Sequence, residues 1–137
     1  MAEITRRGLL AAALAVGAVR QAQAAEWPEQ PLNWIVPYPP GGSTDTFARP
    51  IAEYVARRLG QTVVIDNRGG AGGTLGAAIA ARAKPDGYTW LVASTGHAYA
   101  PLIYPKAGFE LGRDFAPVSA FARVPAVLVI NPARLDA

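Results

Sequence analysis

The sequence predicts an α/β domain built on a parallel sheet, and two observations carry that reading. Short apolar or β-branched runs alternate with stretches of helical periodicity, and each of the first two runs is followed at once by a glycine-rich loop. Joined by short connections, three strands and two intervening helices imply right-handed βαβ crossovers and a sheet covered by helices on both faces.

The chain opens on a segment of different character. Met1 to Arg7 carry two adjacent arginines, Gly8 to Val19 are almost all Gly, Ala, Leu and Val, and Ala22-Gln23-Ala24 places small residues at a cleavage point. Residues 1–24 are therefore expected to be a cleaved signal peptide, since the apolar run falls short of the roughly 20 residues that cross a bilayer. Thr5-Arg6-Arg7-Gly8-Leu9-Leu10 also has the flavour of a twin-arginine signal, so either export route is compatible with it. Residues 25–137 then hold ten basic and nine acidic side chains. The mature part is nearly neutral, and its charge gives no support to a nucleic-acid or membrane-surface role. With no cysteine in the chain, packing alone must hold the fold, and thiolate metal sites and cysteine nucleophiles are excluded.

Leu32 to Val36 reads as a buried strand ended by Pro37, with Pro39-Pro40-Gly41-Gly42 as the turn after it. Ser43-Thr44-Asp45 supplies capping side chains, and Phe47, Ile51, Tyr54, Val55 and Leu59 recur at helical spacing up to the Gly60 stop. Pro50 predicts a kink inside that helix. Thr62 to Asp66 is a second strand, followed by a loop from Asn67 to Gly73 with four glycines. Thr74 to Ala83 reads as a small-residue helix packed on the sheet, and Tyr88 to Ala93 as a third strand, with Trp34 and Trp90 as core or interface residues. A short helix from His97 to Tyr104, an irregular stretch through Asp114, and two further apolar runs, Pro117–Phe121 and Ala126–Ile130, complete the chain. Ending on an uncovered apolar strand predicts a truncated domain.

Ligands of open parallel sheets bind at the carboxyl ends of the strands. Three loops lie there: Tyr38 to Asp45, Arg68 to Thr74, and Ser94 to His97. The first two lead glycines into helix starts, where backbone amides and the positive end of the macrodipole favour an anion by about 0.3–1 kcal/mol per exposed helix end. A carboxylate is preferred over a nucleotide, because neither loop carries the Gly-Lys-Ser/Thr ending of a P-loop or the G-x-G-x-x-G spacing of a dinucleotide fold. Val92-Ala93-Ser94-Thr95-Gly96 lacks the glycine of a nucleophile elbow, and no acid pair or second histidine accompanies His97. Each candidate also has a plainer role: Asp45 as a helix cap that orders its loop, the glycines as turn formers, His97 as a helix-start residue, Arg68 as a surface arginine.

The ordered set Pro37-Tyr38-Pro39-Pro40-Gly41-Gly42-Ser43-Thr44-Asp45, Leu59 to Arg68, Gly70-Ala71-Gly72-Gly73, Pro85-Asp86-Gly87-Tyr88-Thr89 and Asp114-Phe115-Ala116-Pro117-Val118 resembles the Bug-type receptors of tripartite tricarboxylate transporters. The resemblance runs from about Trp34 to Pro132. It implies a periplasmic binding protein of the type II fold that clamps a small carboxylate between two lobes, passes it to integral-membrane transporter subunits, performs no chemistry, and needs neither cofactor nor metal. A ligand-sensing protein acting on a signalling partner, and a small exported α/β hydrolase using Ser94 and His97, are the alternatives. Carried onto this sequence, the ligand-binding residues are Tyr38, Gly41, Gly42, Ser43, Thr44 and Asp45 in the first loop, Gly73 and Thr74 in the second, and Ser94, Thr95 and His97 in the third. Gly69 stands where the family usually has proline, which predicts a more mobile loop. Family members are more than twice this length, so the expected organisation is a signal peptide at 1–24, a first lobe at 25–132, and at 133–137 the start of a crossover to a second lobe that this chain lacks.

Overall fold

The computed structural model describes residues 26–123, 125, 127 and 129. The expected signal peptide and the 133–137 crossover lie outside those residues. Strand β1 (Leu32–Val36) is followed by helix α1 (Ser43–Leu59), strand β2 (Val63–Asn67), a single 3-10 turn at Ala71–Gly73, helix α2 (Thr74–Ala81), strand β3 (Thr89–Leu91), helix α3 (Gly96–Ile103) and the short helix α4 (Leu111–Asp114).

The three strands form one parallel sheet in the order β2-β1-β3. Trp34 lies level with Ile65 on one side and Trp90 on the other, and the two indoles stack with centroids 5.4 Å apart. Alternation along β1 sends Leu32, Trp34 and Val36 to one face, where they meet Ala48 and Ala52 of α1 together with Val92. On the opposite face Leu91 packs with Ala77, Ala78, Ala100, Ala107 and Phe109, so α2 and α3 cover that side. Small side chains let α2 come close: a Cβ on Gly76 would lie 2.6 Å from the Arg68 carbonyl oxygen and 2.8 Å from Pro37 Cβ.

Several local expectations change. The α1 cap is Gly42, and no side chain caps the helix directly. The buried stripe of α1 runs through Ala48, Ile51, Ala52, Val55 and Leu59, whereas Phe47 and Tyr54 face outward, Tyr54 lying beneath the Arg58 guanidinium. Pro50 is accommodated within one continuous helix, which closes at Gly60 in the left-handed conformation. Pro117–Phe121 forms no strand, and Val118 and Phe121 are exposed. A strand needs a neighbour for its backbone groups, and among the described residues none joins the outer edge of β3. Of the 126–130 run only Val127 and Val129 are described, both exposed and outside any strand.

Candidate functional site

The chain leaves β1 toward β2 and then crosses back over β1 to reach β3. That reversal puts a crevice beyond the carboxyl ends of β1 and β3, the place where open α/β sheets hold ligands. The three predicted loops converge there. The Tyr38 hydroxyl, just past β1, is 2.7 Å from Ser94 Oγ, just past β3. Gly73 completes the corner: a Cβ there would stand 3.0 Å from His97 Nε2 and 3.1 Å from the Tyr38 hydroxyl, and its φ of 93° is one that glycine adopts freely.

His97 is buried at 1% exposure, its ring edge-on to Tyr38 and tilted against Phe109. The Ser94 backbone N–H donates to His97 Nδ1 at 3.0 Å, and Ser94 Oγ lies 3.2 Å from the same nitrogen. Nδ1 also lies 3.2 Å from the Ser94 carbonyl oxygen; in the tautomer that accepts from the Ser94 amide, the ring proton sits on Nε2. That Nε2–H has no partner among the described residues. A buried donor left open is costly, and it is a feature that a ligand or a bound water relieves. The Ser94–His97 contact also bears on nucleophilic catalysis. Nδ1 is shared between the Ser94 amide and the Ser94 hydroxyl, so the imidazole serves the loop as well as facing the serine.

The loop glycines use their own amides to fold the loops. Gly41 N–H donates to Asp45 Oδ2 at 2.9 Å, Gly42 N–H to the Pro39 carbonyl, Gly73 N–H to that of Gly70, and Thr74 N–H and Oγ1 to that of Ala71. The receptive backbone donors at the first loop lie one step further on. Thr46 N–H reaches Gly42 O, while Ser43, Thr44 and Asp45 at the start of α1 have no intrahelical acceptor. Ser43 and Thr95 are exposed and Thr44 is half-buried. Tyr38, Gly73, Ser94 and His97 thus meet directly. The Gly41–Asp45 segment follows Tyr38 along the first loop, and Thr74 turns its hydroxyl back into its own loop.

Asp45 is the unexpected element, 2% exposed with both oxygens occupied. Arg49 donates through Nε to Oδ2 at 2.8 Å and through a terminal nitrogen to Oδ1 at 2.9 Å, and Asn67 Nδ2 donates to Oδ1 at 2.9 Å. The Arg49 guanidinium, then the Gly41 amide and the Asn67 carboxamide, hold the Asp45 carboxyl well below the usual carboxylate range. Asn67 Nδ2 also reaches the Tyr38 carbonyl at 3.0 Å, which ties the end of β2 to the first loop. Sequence reasoning missed Arg49 and Asn67. The available signal was the four-residue spacing of Asp45 and Arg49 on one helix face. Arg68 pairs with Asp66 at the surface. No group of three or more His, Cys, Asp or Glu side chains suited to a metal occurs among the described residues.

Residues 47–135 match the family described as tripartite tricarboxylate transporter family receptor. Over 121 residues the chain is 42% identical to protein BugT of Bordetella pertussis, which covers 85% of this chain and 36% of that protein. Among solved structures, the periplasmic binding protein BugD superposes with a TM-score of 0.60 at 49% identity, over 61% of this chain and 28% of that one. Malate-bound MatC from Rhodopseudomonas palustris superposes with a TM-score of 0.61 at 39% identity, over 67% of this chain and 32% of that one. The chain spans about two fifths of the length of the curated relatives it matches.

Proposed function

The chain belongs to the tripartite tricarboxylate transporter receptor family, and from that premise we propose that it captures a small organic carboxylate in the periplasm for integral-membrane transporter subunits, without transforming it. Residues 25–132 act in this reading as one lobe of the receptor, exported by the leader at 1–24. One observation carries the proposal: beyond the ends of β1 and β3 the hydroxyls of Tyr38 and Ser94 meet, the unpartnered Nε2 of His97 shares the Gly73 corner with Tyr38, and the first-turn amides of α1 are open. Such a set offers donors and no free carboxylate, which suits an anion. The malate held by MatC supports the ligand class.

Tyr38, Ser94 and His97 contribute side-chain donors, directly or through water, while Ser43 and Thr44 contribute amides and hydroxyls. Gly41, Gly42, Gly73 and Thr74 shape the loops, and Thr95 borders the opening. The test is a nuclear magnetic resonance titration of the full chain with malate and with adipate. The proposal expects saturable shifts at the Ser43, Thr44 and Ser94 amides and at the His97 ring. Shifts confined to other surfaces, or none up to the solubility of either acid, would overturn it. A parallel assay with a chromogenic ester checks the hydrolase alternative, which requires turnover that disappears in Ser94→Ala.

A further inference from the structure

An anion site is a poor place for a buried carboxylate, yet Asp45 sits buried in the first turn of α1, in the loop that follows Tyr38. Its negative charge opposes the helix terminus as an anion receptor, because both would compete for the same positive potential. Arg49 answers that conflict. It gives two of the four donors to Asp45, lies one helical turn away on the same face, and extends a 3.2 Å contact from a terminal nitrogen to Asn67 Oδ1. Asp45 in turn holds the Gly41 amide, and Asn67 holds the Tyr38 carbonyl.

We infer that Arg49 is a positioning residue of the crevice: its guanidinium cancels the Asp45 charge where a ligand carboxylate arrives and locks the Tyr38–Gly42 loop to the end of β2. Arg49 does this without touching the ligand. The carboxylate accounts for its Nε and one of its terminal nitrogens, and the side chain is half exposed on the flank of α1. A fork is required for the task, since an ammonium would supply the charge but not the paired geometry. This inference rests on the carboxylate reading of the crevice, and the experiment separates the two.

The full chain and its Arg49→Ala, Arg49→Lys and Asp45→Asn/Arg49→Ala variants are titrated with malate, with Arg57→Ala as a control whose guanidinium, among the described residues, pairs with the exposed Glu53. Arg49→Ala is expected to weaken malate about tenfold or more, the scale of one uncompensated charge beside a ligand. Arg49→Lys should fall between it and the parent, and serves as the reading if the alanine variant fails to fold. The double variant removes the charge together with its partner, and should recover binding to within about threefold of the parent. A merely structural role predicts the opposite, a double variant at least as weak as Arg49→Ala, and that result, or an unaffected Arg49→Ala, overturns the inference. Amide exchange at Gly41 is followed without ligand. It should accelerate in Arg49→Ala and stay slow in Arg57→Ala, so a parent chain that ignores malate would sink the crevice reading while this arm still decides the role of Arg49.

Discussion

The two flanks of the crevice are built on different physics. On the β1–α1 flank a charged carboxylate meets four donors, and every oxygen site is filled from within the protein. Where the β3–α3 loop meets Tyr38 and Gly73 there is no carboxylate: two hydroxyls and an imidazole come together, with a glycine against which both aromatic rings rest. There one donor, His97 Nε2–H, stays open. A saturated network rigidifies but cannot receive, whereas an incomplete one has capacity left. The first flank is thus the frame and the second the receptive surface, and each can be challenged separately.

The largest effect should come from Gly73, where both aromatic rings of the receptive flank lean on the backbone. Gly73→Ala imposes a strained φ and a 3.0 Å contact with the buried imidazole, so urea unfolding should show a loss of about 3 kcal/mol. Gly69→Ala meets only ordinary contacts at 3.5 Å or beyond, and should stay within about 0.5 kcal/mol of the parent. Equal losses at the two positions would mean that Gly73 has no special place.

The frame predicts a pH signature. Because the folded Asp45 carboxyl is held below its unfolded value, it binds its proton less readily when folded, and its stabilisation is fully present above about pH 4 and lost as the pH falls further. Stability followed by circular dichroism should therefore show no pH dependence from Asp45 between pH 5 and 8, where its contribution is complete, and Asp45→Asn should blunt the acid transition below that range. An acid limb that Asp45→Asn leaves unchanged would break the contrast between the flanks. The smallest and most local prediction concerns a proton. Nitrogen-15 shifts of the His97 ring at neutral pH should report the tautomer protonated at Nε2. Finding the proton on Nδ1 would mean that the Ser94 amide does not hold the ring.

Much of the frame's outline was legible in the sequence, because its punctuation is chemical. The Gly41-Gly42 turn and the Gly60 stop bracket α1 at Ser43–Leu59, and the β-branched run marks β2 to within a residue. The frame's wiring was not legible. Asp45 reads as a helix cap and Arg49 is not singled out, because their link to Asn67, 22 residues from Asp45, exists only once the β1–β2 register brings Asn67 level with Val36. Phe47 and Tyr54 also fit the helical period, but the sheet took the alanine side of α1, where small residues allow close packing. On the receptive flank Ser94 and His97 were recognised as neighbours along the chain. Their meeting with Tyr38 depends on β3 lying beside β1, which a list of elements does not specify. Pro117–Phe121 has the composition of a strand, but composition supplies no neighbouring edge.

The indole stack at the centre of the sheet gives the protein an optical gauge of its own assembly. Trp34 belongs to β1 and Trp90 to β3, so their face-to-face approach exists only once the third strand has docked beside the first. Two aromatic transitions held 5.4 Å apart couple, and the near-ultraviolet dichroism of that pair tracks the event that brings Ser94 to Tyr38. The stack and the crevice both require β3 beside β1, so the pairing that creates them can be followed by light without a label.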